Sequence, residues 1–393
     1  MDDHIYIYIY IIIPWFLLVI NIADGTGNNA RDFVPDEDND TGFSNIVKMH
    51  WLAGGDINNR RNDVPGQVCL YQIGIGAETE NECIGFIRFN LGNLDQQVVP
   101  MKKKLAEVYE KGDKLFIIGF SRGSASARQF ISDLYRDGIT TKDGKKVEKV
   151  PVEFLGCFDT VSMQLTKHLP NIIWNRRHDL ITTGEVVGEV NGEINPKVGT
   201  MVHMISLNDD RFKIFAGCFP PVFMDSKDER VHEAYFSGVH ADVGGGYYRD
   251  GCSDIAFVYM QEWLESKGIK FIKPEEVHPD CLKIDHFPDT VITAEQISVK
   301  PDITKLINMS KAREENPSFR PVVTATNSDI DHDGHVKIHV SVLERLKLSV
   351  EDPEKYPYRV NPNLKNAKVV VVGSLGKAME DETAELVDLL SKV

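Results

Sequence analysis

Cysteine is scarce in this chain, with six residues in 393: Cys69, Cys83, Cys157, Cys218, Cys252 and Cys281. No two form a C-x-x-C pair, so zinc-ribbon and thioredoxin-type readings have no basis. Scattered buried thiols in a reducing compartment fit instead. Positive charge is also short, with 44 Lys and Arg against 59 Asp and Glu and a net charge of -15. Neutralising nucleic-acid phosphates takes clustered cations, so the balance argues against a nucleic-acid partner. It gives no support for contact with an anionic membrane. Internal repeats and low-complexity tracts are absent. The uncharged run Ile5 to Ala23 lacks a basic region before it; Asp2 and Asp3 precede it and Pro14 interrupts it. That speaks against a cleaved signal peptide and makes a membrane anchor the lesser reading. The Ile-Tyr alternation has the period of a strand, so residues 5–15 are expected to be an extra strand-like segment. The expected location is cytoplasmic, or exported without a cleaved signal.

Hydrophobic residues make up 42% and charged residues 26%, the balance of a folded domain with a sizeable core. Short apolar runs alternate with amphipathic ones. Strands are expected at "FLLVINIA", "QVCLYQ", "KLFIIGF", "VEFLGCF", "HEAYF" and "AKVVVV". Helices are expected at "NIVKMHWL", around "QQVVPMKKKLAEVY" with a kink or late start at Pro100, after "GFSRG", at "DIAFVYMQEWLES", at "SVLERLKL" and at the acidic C-terminus. "GTMVHMISLNDDRFKIF" also reads as a helix. The pattern predicts an α/β fold, a mostly parallel sheet with helices on both faces. One domain would span 1–366, with an irregular insertion at about 162–197, and a strand and helix segment would follow at 367–393.

Ligands of such sheets bind beyond the carboxyl ends of the strands. Four polar or glycine-rich segments sit there: "DGTGNN", "SRG", "DTV" and "HADVGGGY". "GFSRG" fits G-x-S-x-G between a strand and a helix. Gly119 and Gly123 would keep side chains out of a tight turn, and Ser121 would project its hydroxyl above the sheet. The Arg122 N–H, at a helix N-terminus, would face a developing oxyanion. The alternative is a serine that only caps the helix. A serine nucleophile needs a base held by an acid. In chain order Asp159 and His240 are best placed, though each could instead make a structural loop contact. Asp242 could be the acid, with His335 or His339 as a distant base. Gly25 or Thr26 could supply a second oxyanion donor, and Asp24 stands beside them; an ordinary tight turn is the alternative. Asp24, Asp159 and Asp242 could converge on a divalent cation, but no spacing demands a metal and the acyl chemistry needs no cofactor. The three glycines Gly244 to Gly246 suggest close backbone approach. No Walker lysine follows them, which disfavours a phosphate loop.

Five blocks occur in order: "FLLVINIADGTGNN", "YEKGDKLFIIGFSRGSASARQF", "FLGCFDTV", "AYFSGVHADVGGGY" and "IHVSVLERL". Together they resemble an α/β-hydrolase family of unassigned function whose known members include type VI secretion phospholipase effectors. The resemblance spans roughly Phe16 to Leu364. It implies a Ser121, Asp159 and His240 triad and hydrolysis of acyl esters, with small-molecule or lipid esters, phospholipids among them, as substrates. The chain departs from the family in the small residues of "SRGSASAR", in the Ile-Tyr segment and in lacking a long C-terminal extension. The rival from another class is a non-catalytic binding protein on the same scaffold.

Overall fold

Leu18–Ala23 (β1) is buried on both faces, with Val19, Ile20, Ile22 and Ala23 fully enclosed. A strand covered by helices on both sides reads as such a nearly continuous apolar run, interrupted here by Asn21. The computed structural model describes residues 17–25, 28, 30, 34–75, 94–161, 197–209, 229–284, 287–305 and 335–392. The Ile-Tyr segment, Thr26, Cys83, Cys218 and residues 162–196 of the expected insertion lie outside these.

The described chain continues with Asn45–Leu52 (α1), Gln67–Gln72 (β2), Asp95–Val108 (α2) and Lys114–Phe120 (β3). Arg122–Asp137 (α3), Val152–Phe158 (β4), Val198–Ser206 (β5) and Val231–Phe236 (β6) follow. Next are His240–Gly244 (α4), Gly251–Ser266 (α5), His335–His339 (β7) and Val340–Glu351 (α6). Lys368–Val372 (β8), Ala378–Met379 (β9) and Glu380–Lys392 (α7) close it. These nine strands form one sheet in the order β9-β8-β7-β6-β5-β4-β3-β1-β2, and the described residues also hold two small two-stranded sheets. All pairs are parallel except β8 with β9. This is the α/β architecture that the sequence pattern predicts.

One expected helix is a strand. Val198–Ser206 is a strand, not a helix, and it inserts between β4 and β6. A run buried on both faces has no period, so its residues could not separate the two forms. The helix expected around Pro100 is α2, which begins at Asp95 and so does not start late at the proline.

Alternate strand residues feed two cores. Ile20, Ile22, Phe116, Ile118, Phe154 and Val202 pack on the α1 and α5 side. Val19, Ala23, Leu115, Ile117, Leu155 and Met201 pack on the α2 and α3 side. A third cluster joins β7 and β8 to α6 and α7. After β1 the chain goes out to the edge at β2 and returns on the other side of β1 at β3. The order therefore reverses between β1 and β3, which makes their carboxyl ends the switch point where ligands bind in sheets of this kind.

Candidate active site

Ser121 sits between β3 and α3 with φ 57° and ψ -125°. A non-glycine residue pays for such a conformation, and it persists only where the surroundings impose it. The glycines on either side explain how. A Cβ on Gly119 would lie 2.5 Å from the Gly123 carbonyl, and one on Gly123 would lie 2.2 Å from the Ala23 oxygen. Ser124, Ala125, Ser126 and Ala127 are wholly buried, so small side chains bring α3 down onto the sheet. The backbone holds the turn from both sides: the Ser121 N–H donates to the Phe158 oxygen at 3.0 Å, and its carbonyl accepts from Val161 at 3.1 Å. Arg122 is the first residue of α3, at the positive end of the helix dipole. Burial pulls its guanidinium down to about 10, still charged at neutral pH.

Asp159 follows β4 directly, is wholly buried and also has a positive φ, 41°. Its N–H donates to Met204, and its carboxylate accepts from the Ser206 N–H at 3.0 Å and the Ser206 hydroxyl at 3.1 Å. The same Oδ2 lies 2.5 Å from His240 Nδ1, a short contact. His240 opens α4, and its ring packs at a tilt of 32° against Phe120, the residue before Ser121, with centroids 4.7 Å apart. Asp159 and His240 thus meet, and the imidazole rests on the side chain adjoining Ser121.

The glycine run serves this packing. A Cβ on Gly244 would fall 1.9 Å from the Phe120 ring, and one on Gly245 would fall 2.5 Å from the Asn45 nitrogen. Gly245 bridges Ser44, and Gly42 donates to the Gly246 oxygen. Asn45 holds the Val243 and Ser253 carbonyls. The close approach expected of these glycines is therefore made to α1 and Phe120 of the chain itself.

Other candidates have structural duties. Asp24 accepts from the Gly25 N–H at 2.7 Å, Asn28 at 3.1 Å, Ser44 at 2.8 Å and Tyr71 at 2.8 Å. Burial raises its pKa, and these donors offset part of the rise. The Gly25 N–H, expected as an oxyanion donor, is thus turned to Asp24, while Thr26 is outside the described residues. Asp242 accepts from the Val239 N–H at 2.9 Å and caps α4. His339 does not partner Asp242 as a base: it caps α6 through Ser341 and stacks on Phe236 at 4.2 Å. Burial pushes it down to about 3. His335 lies at the exposed start of β7.

The three-aspartate metal reading does not hold among the described residues. The group that gathers there is Asp159, Asp209 and His240, with one ligand atom of each within 4.8 Å of the others. Asp24 and Asp242 stand apart from it, committed to the contacts above. Sequence reasoning missed Asp209, together with Ser206, His203 and Asn208. His203 accepts from the Thr160 N–H at 3.0 Å through Nε2 and pairs with Glu233 at 2.8 Å through Nδ1, bracing the loop behind Asp159. The signal is present in "SLND", a fifth polar segment at a strand end, masked because the pattern of the run predicts a helix there.

A family model described as "T6SS, Phospholipase effector Tle1-like, catalytic domain" matches residues 18–149 and 133–262, more than half of the chain. The chain belongs to this family. Its matched segments include Ser121, Asp159 and His240. None of the curated proteins matches the chain. Among solved structures, an uncharacterized protein from Pseudomonas aeruginosa is 17% identical, covers 74% of this chain and 49% of its own, and has a TM-score of 0.40. A Tle1 effector bound to the VgrG spike from the type VI secretion system is 18% identical, with coverages of 59% and 51% and a TM-score of 0.33. ClbQ from the colibactin NRPS/PKS pathway is 10% identical, with coverages of 64% and 98% and a TM-score of 0.33. The chain spans about half the length of the first two. Among the described residues no helix is long and apolar enough to cross a membrane.

Proposed function

We propose that this Tle1-like catalytic domain hydrolyses carboxylic esters of lipids, phospholipids among them, through Ser121, His240 and Asp159. The observation that carries the reading is the 2.5 Å contact of His240 Nδ1 with buried Asp159, above the ring of the residue that precedes the strained Ser121. Family membership supports the lipid ester.

With Nδ1 held by Asp159, Nε2 is the nitrogen left to take the Ser121 proton. Oγ bonds to the ester carbonyl as its O–H bond breaks and an Nε2–H bond forms. The carbonyl electrons move onto oxygen, which the Arg122 N–H at the helix N-terminus would stabilise; Thr26 is the candidate second donor. His240 then returns the proton to the leaving alcohol as the ester C–O bond breaks. Water, activated by the same imidazole, cleaves the acyl-enzyme. Asp159 stays ionised and stabilises the imidazolium.

A fluorophosphonate probe and phosphatidylcholine vesicles test this. The folded chain is expected to be labelled at Ser121 and to release fatty acid. Ser121→Ala is expected to abolish both, and His240→Ala to reduce both by about 10³-fold or more. Full activity in Ser121→Ala would overturn the mechanism.

A further inference from the structure

Asp209 is a second buried carboxylate beside the Asp159–His240 pair, and the chain is built to hold it there. It is 2% exposed and follows β5 by three residues. Its ligand atom lies within 4.8 Å of those of both Asp159 and His240. The residues before it are fastened at every step. Ser206 donates twice to Asp159. The Leu207 N–H donates to Phe236, and its carbonyl accepts from Asn361. Asn208 clamps Gly238 with two hydrogen bonds, 3.0 Å from its backbone N–H and 2.8 Å to its side-chain oxygen, and holds Arg359 with its amide. Asp209 therefore enters the site on the same rigid segment that anchors Asp159, and Gly238 on the other side of the clamp leads to His240.

We propose that Asp209 is a positioning residue of the reaction, a second carboxylate that acts through His240 by stabilising the charge the imidazole acquires. The inference rests on the serine-hydrolase reading. The proton transfer is the one written above: as Ser121 Oγ–H breaks and Nε2–H forms, the ring gains one positive charge. A carboxylate within about 4–6 Å of a group in a dry site favours its charged form substantially. Among the described residues the charged groups near this edge include Asp24, Arg122, Asp159, Asp209 and Asp242, with Arg345 close to Asp242 and with Glu233 and the buried Arg128 behind His203. Among the described residues Asp209 is the further carboxylate whose oxygen lies with those of the Asp159–His240 pair.

The test is the pH profile of p-nitrophenyl butyrate hydrolysis by the full chain, alongside Asp209→Asn, Asp209→Glu, Asp209→Ser and Ser121→Ala, each checked for folding by thermal melting. In Asp209→Asn the acid limb of kcat/KM is expected to move down by about 1 pH unit and kcat to fall roughly tenfold, with KM little changed. Asp209→Ser, a second neutral variant, should show the same shift if Asp209→Asn folds poorly. Asp209→Glu should restore the limb. An unmoved limb in a folded neutral variant would reduce Asp209 to a structural residue. Inhibition of the wild type by a chelator, reversed by a divalent cation, would make the trio a metal site and overturn the inference as well. Ser121→Ala as active as the wild type would instead sink the serine mechanism, and Asp209 would fall with it.

Discussion

Gly244→Ala puts the support of the imidazole under direct strain. The added methyl would fall 1.9 Å from a ring carbon of Phe120, roughly 1.5 Å short of ordinary contact. Phe120 has little room to retreat, because a Cβ on Gly25 at the other side would already be 2.7 Å from the same ring. Either the ring turns or α4 lifts, and both move His240, whose ring lies 4.7 Å from that of Phe120. Overpacking of this kind costs about 1–3 kcal/mol of stability. A displacement near 1 Å at a catalytic group costs on the order of 10²-fold in rate. Urea unfolding should therefore show a modest loss, and hydrolysis of p-nitrophenyl butyrate should fall far more than stability does. Gly66→Ala is the control: its Cβ meets nothing within 4 Å, but its φ of 81° still strains an alanine. It should lose about 1 kcal/mol and keep its rate. Wild-type turnover in Gly244→Ala would refute the idea that Phe120 carries the base.

Two further outcomes concern stability. Lys48 is buried between Asp250 and Asp254, the latter at 2.9 Å, and ties α1 to α5. Lys48→Met leaves those carboxylates uncompensated and should cost about 3–5 kcal/mol by urea unfolding, and an unchanged midpoint would show that the pair contributes nothing. Burial holds His50 down to about 4 and His339 to about 3, while the unfolded chain titrates them near 6.5. The contribution of these two histidines to stability is therefore complete above pH 6.5 and drains as pH falls toward those values, by about 1.4 kcal/mol per unit for each. His50→Gln should flatten the loss between pH 6.5 and 4, and the pH dependence of the urea midpoint reads it.

The tight turn at Ser121 was legible in the residues because glycines and small side chains between a strand and a helix form a pattern within one short segment. Gly119 answers a clash within five residues, Gly123 answers one with Ala23 on the neighbouring strand, and the small side chains of "SASA" answer the packing of the helix on the sheet. The alternation of apolar runs likewise announced a sheet covered on both faces, since burial on two sides removes the polar half of a strand. That same loss of period hid β5. "GTMVHMIS" carries no mark that separates a doubly buried strand from a buried helix, and only its pairing with β4 and β6 decides.

What lay beyond the sequence is what depends on two distant segments meeting. Asp24, Asp159, Asp209 and Asp242 are chemically alike as letters, and all lie at the ends of strands or just after them. Tertiary structure gave them different duties, because hydrogen-bond donors brought from elsewhere, Ser44 and Tyr71 for one and Ser206 and His240 for another, saturate each carboxylate differently. The three glycines of "VGGGY" announced a close approach, and only the folded chain shows that part of what approaches is Phe120. Local sterics can be read from neighbours in sequence; which charge faces which is settled by neighbours in space.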